Sequence, residues 1–255
     1  MFMQMKAVRK KPSLTAEGHN RSFGRLASRM SIAEQKAIDE RLSPYAVMEK
    51  AGDSIVLEEV FPTQTGPLLV ELGMGKGEQI SARAIANPNH RYIGCEVYRN
   101  GLEKPLKVIE AEGLTNLRLC PHDARLLLAA LPAASVDQLL VLYPDPWPKK
   151  KHHKRRIVQA SLLDEAVRVL GPGGELLLVT DIVDYALWML STVYTHGAFF
   201  PSAISPAEWA NPPEEWVPTG YEKKALREGR KPFYLCLYRV DELPKQDHNL
   251  RTPAS

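Results

Sequence analysis

Residues 68–77 read Leu-Leu-Val-Glu-Leu-Gly-Met-Gly-Lys-Gly. The apolar run Leu68–Leu72 has no polar alternation, which predicts a strand covered on both faces. Gly73, Gly75 and Gly77 then stand at alternate positions, the pattern of a tight turn whose backbone approaches a ligand closely. A helical pattern follows over Glu78–Ala86. Strand, glycine turn and helix in that order open a βαβ unit.

Working outward, the same grammar repeats. Short Leu, Val and Ile runs bounded by Gly, Pro, Asn or Asp predict strands at Arg91–Val97, Leu117–Pro121, Val136–Tyr143, Glu175–Asp181 and Phe233–Val240. Helical patterns fall between them at Asn100–Glu112, Ala124–Ala130, Ile157–Leu170 and Val183–Tyr194, with Pro172-Gly173-Gly174 as a turn after the Ile157–Leu170 helix. Alternation of this kind predicts an α/β fold with a doubly wound parallel sheet, whose ligand sits at the carboxyl ends of the strands. Segment 200–220, with Trp209, Trp216 and several prolines, reads as a long irregular insertion, either a lid or a surface loop. One domain over 21–240 is expected, between a mobile basic arm (1–20) and a mobile tail (241–255).

With 255 residues, 44% of them hydrophobic and 25% charged, the chain is long enough for a full core and is neither collagen-like, disordered nor a disulfide scaffold. No apolar run approaches the ~20 residues of a bilayer span, and the basic N-terminus lacks an apolar stretch behind it. Cys95, Cys120 and Cys236 are far apart without a C-x-x-C pair, and read as reduced, mostly buried thiols of a cytoplasmic protein.

The net charge of +3 conceals a segregation. Residues 1–30 carry +6, residues 149–156 carry another +6, and the remainder carries −9. Two basic bands on an acidic body are the footprint of a polyanion, because Lys and Arg displace counterions from phosphates. For the N-terminal band alone, a solvated charge run or a disordered arm is the plainer reading, whereas the sequence beside 149–156 shifts the balance toward a partner.

Acids mark the ends of successive strands. Glu71 precedes the glycine turn, placed to suit a ligand with an amino group. Glu96, ending the second strand, is placed to accept both ribose hydroxyls of a nucleoside. Asp123, after the third, can accept from an adenine amino group or cap the following helix. The turn itself is G-x-G-x-G and departs from the G-x-G-x-x-G dinucleotide fingerprint. After the fourth strand comes Tyr143-Pro144-Asp145-Pro146-Trp147-Pro148-Lys149, running into Lys150-Lys151-His152-His153-Lys154-Arg155-Arg156. Two prolines stiffen the chain around Asp145 and hold its carboxylate in one orientation, facing the cofactor cleft. The basic run directly behind it points to an acceptor within a nucleic acid. Adjacent His152 and His153 lack a second ligand pair, so no metal site is expected.

These motifs together resemble the bacterial tRNA (guanine-N7-)-methyltransferase family. The proline-aspartate-proline-tryptophan loop with its basic tail is specific to it, whereas the glycine turn is shared by most methyltransferases. The resemblance extends from about Arg21-Ser22-Phe23-Gly24-Arg25 to Arg239. It implies a Rossmann-like class I methyltransferase fold with an antiparallel last strand, S-adenosyl-L-methionine as cofactor, and tRNA as partner. It further implies cofactor contacts at Glu71, Gly73, Gly75, Glu96, Asp123 and Asp145, with Asp145 catalytic. Substrate contacts are implied at Lys149, Asp181, Thr219, Gly220, Tyr221 and Glu222, and RNA contacts over Lys151, His152, His153, Lys154, Arg155 and Arg156. The family often has Phe where Tyr221 stands. Its members act on the variable-loop guanosine, position 46 in tRNA convention.

Guanine N7 carries its lone pair in the ring plane, so no base need remove a proton before attack, and catalysis can be largely positioning. Trp147 either stacks on the flipped base or packs the loop. Other classes remain: methylation of another RNA, a non-catalytic RNA-binding module, or a nicotinamide-dependent oxidoreductase on the same fold. The last explains neither the departure from the dinucleotide fingerprint nor the basic loop.

Overall fold

The computed structural model describes residues 22, 23, 30–203, 205 and 207–240. The arm 1–20, the tail 241–255, and Arg21, Gly24 and Arg25 lie outside the described residues. In chain order the elements are α1 (Ile32–Leu42), α2 (Leu57–Val60), β1 (Leu68–Leu72), α3 (Glu78–Ala86), β2 (Arg91–Cys95), α4 (Arg99–Glu112), β3 (Leu117–Cys120), α5 (Ala124–Ala130), β4 (Val136–Leu142), α6 (Ala160–Val169), β5 (Leu170–Thr180), α7 (Val183–His196), β6 (Phe199–Pro201), α8 (Gly220–Arg227) and β7 (Phe233–Arg239).

The strands form one sheet in the order β3-β2-β1-β4-β5-β7-β6. β1 to β5 run parallel, and β7 inserts antiparallel between β5 and the edge strand β6. The order reverses between β1 and β4, so the switch point, and the expected ligand crevice, lies above those two strands. The expected fold class is the one observed.

Unalternated apolar strands bury two faces. Leu68, Val70, Leu139, Val141, Leu176 and Leu178 face one way, against α5, α6 and α7. Leu69, Tyr92, Leu117 and Leu119 face the other, against α1, α3 and α4. On that second face Leu140, Leu142, Leu177, Val179 and Tyr234 form a further cluster, with Trp216 packed against it and Glu222 of α8 accepting from the Tyr234 hydroxyl. The segment expected to be irregular is therefore a strap that closes this part of the core beside α8.

Two expectations need correction. Pro172-Gly173-Gly174 is not a turn outside the sheet but a bulge within β5: pairing steps from Val136–Leu170 to Gln138–Glu175, leaving Gly171–Gly174 out of register. The sixth helix starts at Ala160 rather than Ile157, because the chain is still extended as it leaves the basic run. Cys95 and Cys120 are buried and Cys236 half-buried, all without disulfides. No helix among the described residues is long and apolar enough to cross a membrane.

Candidate functional site

A cavity opens at the switch point. Its walls come from the ends of four strands: Gly73 after β1, Glu96 and Tyr98 after β2, Asp123 after β3, and Tyr143 and Asp145 after β4. Ile157 closes one side and Tyr221 of α8 the other.

The glycine turn works as a clamp. Gly73 and Gly75 both sit in the left-handed region, at φ 71° and 57°, where a side chain is strained. The amides of Gly73 and Met74 donate to the Cys95 carbonyl at 2.9 Å each, and the Gly77 amide donates to Met74. The Gly75 amide donates to Glu96 Oε2 at 3.0 Å, while the Tyr98 amide donates to Glu96 Oε1 at 2.9 Å. Glu96 is thus fixed by backbone from both sides while it lines the cavity. Burial, and secondarily other groups including Asp145, holds its carboxyl above the usual range, against the pull of those amides.

Asp123 caps α5, its Oδ1 accepting from the Arg125 amide at 2.9 Å. Its Oδ2 is buried and accepts nothing among the described residues. The two readings of Asp123 are therefore compatible: one oxygen caps, and the other faces the cavity unpartnered.

Glu71 is placed differently. It is 2% exposed and lies beneath the turn rather than in the cavity wall. Burial pushes its carboxyl up to about 8, Glu78 adding to the effect and Arg83 opposing it. Gly75 likewise acts through Glu96 instead of lining the cavity.

The loop after β4 is sprung at both ends. Tyr143 and Trp147 are non-glycine residues at φ 48° and 44°, a conformation costing of order 1–3 kcal/mol each and kept only where surroundings enforce it. Between them Asp145 is held up at the cavity edge. Trp147 packs rather than standing open: its Nε1 donates to the Ser22 carbonyl at 2.9 Å, and the Arg155 guanidinium lies 3.7 Å from its ring centre.

The basic run winds into a 3-10 turn over Lys150–Arg155. Lys149, Lys150, Lys151 and Lys154 are exposed. His152 meets Trp147 edge-on while His153 meets Trp188, so the two imidazoles diverge. No cluster of three metal-ligating side chains occurs among the described residues. Arg156, expected on the RNA surface, is only 1% exposed. Its Nε donates to the Pro146 carbonyl at 2.9 Å, its other end pairs with Asp184, and its guanidinium lies near the Tyr185 and Trp188 rings. Arg156 braces the loop from inside, which corrects its assignment as an RNA contact.

The remaining expected substrate residues gather around α8. Thr219 caps the helix by accepting from the Glu222 amide. Glu222 is buried, with Trp216 Nε1 donating to Oε2 at 2.7 Å and the Tyr234 hydroxyl to Oε1 at 3.0 Å. Gly220 is exposed. Asp181 accepts from Arg230 at 2.6 Å. Tyr221 alone of this set lines the cavity, its ring 6.4 Å from that of Tyr143 and inclined by 19°. Burial, with Glu222 next, holds the Tyr143 phenol far above its ordinary range.

Sequence reasoning missed what holds the strap. Gln79 Oε1 accepts from the Val217 amide at 2.8 Å, and Arg83 pairs with Glu215. The signal was there: Gln79 and Arg83 are polar residues on the buried side of α3.

A family model described as "Putative methyltransferase" matches residues 65–235. A tRNA (guanine-N(7)-)-methyltransferase of Rhodospirillum rubrum is 39% identical over 86% of this chain and 88% of its own length. Proteins of the same name from Roseobacter denitrificans and Mesorhizobium japonicum are 42% and 40% identical, covering 87% and 90% of this chain and 97% of each relative. Among solved structures, an antibiotic-related methyltransferase superposes with a TM-score of 0.52 at 17% identity, over 75% of this chain and 99% of its own. The 16S rRNA methyltransferase KamB gives 0.51 at 16%, over 76% and 97%. Those two likenesses concern the fold.

Proposed function

The chain belongs to the tRNA (guanine-N(7)-)-methyltransferase family, and on that premise we propose that it methylates N7 of a guanosine in tRNA, the variable-loop position 46, with S-adenosyl-L-methionine as donor. The observation carrying this reading is the placement of Asp145. A carboxylate on a strained, proline-flanked loop sits at the mouth of a cavity whose other acids suit a nucleoside.

The residues fit that cofactor. Asp123 Oδ2 is a buried acceptor without a partner, suited to an adenine amino group. Glu96 retains lone pairs for ribose hydroxyls, and Gly73 leaves the wall free of side chain beside it. A dinucleotide fits less well. Its pyrophosphate needs free backbone amides at the glycine turn, whereas those of Gly73, Met74, Gly75 and Gly77 are already committed. The bound cofactor supplies an electrophilic methyl group.

The protein's share is orientation. Guanine offers its N1–H and 2-amino group to a carboxylate, and Asp145 is the acid at the cavity mouth that can receive both. A base held in this way has no proton to lose at N7, so positioning is the protein's main task. The exposed lysines 149–151 and 154 engage phosphates, and the target base leaves its stack at a cost of a few kcal/mol. Glu222 and Asp181, already engaged by Trp216, Tyr234 and Arg230, shape the wall behind.

The test is methyl transfer from labelled S-adenosyl-L-methionine to unmodified tRNA, mapped by borohydride–aniline cleavage. A single cut in the variable loop is expected, lost in Asp145→Ala with the fold retained. Labelling at another base, or near-normal turnover in the variant, overturns the corresponding assignment.

A further inference from the structure

The basic run lies on one side of the sheet only. It packs against α7 through Arg156, Asp184 and Trp188, on the face buried by α5, α6 and α7. The opposite lip of the cleft is built by the strap and α8, which cover the other face through Trp216 and Glu222, both meeting Tyr234 of β7. Tyr221, in the first turn of α8, reaches the same cavity as Asp145. The two lips thus face each other across the strand ends.

The second lip is basic as well. α8 turns Glu222 and Ala225 inward and leaves Lys223, Lys224 and Arg227 exposed, with Lys231 exposed just beyond. The two acids of this stretch are engaged in place: Glu222 is buried between two donors, and Glu228 pairs with Arg230. Among the described residues, no acid lies within ion-pair distance of Lys223, Lys224, Arg227 or Lys231. These four cations therefore form no ion pair among the described residues, and their charge faces outward, toward a partner.

We propose that Lys223, Lys224, Arg227 and Lys231 form a second phosphate-binding lip for tRNA, so that the backbone is gripped on both sides of the cavity while the target base enters between Asp145 and Tyr221. Single-sided contact would leave the RNA free to pivot about the run 149–155; a second line of cations removes that rotation. The proposal rests on the tRNA reading above, and takes its partner from charge complementarity and from the position of α8 at the cavity rim.

The test replaces Lys223, Lys224, Arg227 and Lys231 together by Gln, which has nearly the helix propensity of Lys and Arg. Affinity for unmodified tRNA is measured from about 50 to 200 mM salt, beside the melting temperature and cofactor affinity. Each phosphate that is no longer neutralised lowers the salt slope by roughly 0.7–0.9. The expected result is a slope smaller by about 3 and a Kd raised roughly 100-fold or more at physiological salt, by the same counterion-release relation. Melting and cofactor binding stay as in the parent, and restoring the charges as arginines recovers the affinity. An unchanged slope and Kd in a normally folded variant overturn the second lip and assign these cations to some other partner. If the unaltered protein methylates no tRNA, the functional reading itself has failed; if it methylates tRNA and the variant binds equally well, only the second lip has.

Discussion

Arg156 offers the sharpest separation between a charge that holds the loop and a charge that holds RNA. It lies in a run of six bases, yet it is 1% exposed, gripping the Pro146 carbonyl one residue from Asp145. Removing it as Arg156→Ala deletes a charge-assisted bond to that carbonyl, worth about 1.5–3 kcal/mol. It also deletes desolvated contacts with Tyr185 and Trp188, at 4.8 and 5.1 Å from their ring centres, worth about 2 kcal/mol together. The pair with Asp184 adds little, because that carboxylate is 66% exposed and returns to water. A loss of roughly 4 kcal/mol lowers the melting temperature of a chain this size by about 8–16 °C. Arg156→Lys keeps the charge but cannot span Pro146 and Asp184 at once, so it should melt between the two. The decisive assay is tRNA binding against salt, run on Arg156→Lys well below its melting point. The slope should match the parent while turnover drops, because the carbonyl beside Asp145 is no longer clamped. A slope reduced by about one with an unchanged melting temperature would place Arg156 on the RNA and refute the brace.

Two further outcomes follow from the buried acids. Glu71 holds its proton in the folded state up to about pH 8, whereas the unfolded chain releases it near 4.5, so the unfolded state binds fewer protons in between and stability falls as pH rises through that window. Glu71→Gln is neutral at every pH, and its melting temperature should gain on the parent from about pH 5 to 8; parallel curves would remove Glu71 as the cause. Glu222→Ala removes the acceptor of both Trp216 Nε1 and the Tyr234 hydroxyl, at about 1–3 kcal/mol for each donor left unpaired. Melting should fall and the KM for tRNA rise with cofactor affinity unchanged, and a variant that melts like the parent would show that Glu222 does not anchor the strap.

What was legible in the sequence followed from local periodicity. Leu68–Leu72, Glu78–Ala86 and Ala124–Ala130 begin and end as expected because each is bounded by a residue with one structural role: a left-handed glycine, or Asp123 as a cap. The acids at strand ends were legible because a parallel sheet delivers them to one edge. Three kinds of feature were not. The bulge at Gly171–Gly174 resembles any Pro-Gly-Gly turn until a neighbouring strand supplies its register. The three-residue strand β6 carries too short a pattern to register. Arg156 differs from Arg155 in nothing but the direction its side chain takes, and that direction is set by α7, some thirty residues away. A run of like charges gives its total readily and its inward-turning member not at all.

The same distinction explains how a carboxylate site can be ready before its ligands arrive. Glu96 and Asp123 are each fastened by backbone amides, from Gly75 and Tyr98 for the first and Arg125 for the second. Those amides belong to turns fixed by the sheet, so neither acid has rotamer freedom left to lose on binding, and the entropy of ordering them is spent in folding. Asp145 is fixed by other means: prolines on either side, left-handed residues at Tyr143 and Trp147, and Arg156 on the Pro146 carbonyl. Strain of a few kcal/mol in that loop persists only while its anchors hold. Loosening the anchors should therefore leave Glu96 and Asp123 competent for the nucleoside while Asp145, the acid proposed to meet guanine, drifts. Weakened turnover with intact cofactor binding is the signature that separates a damaged loop from a damaged cleft.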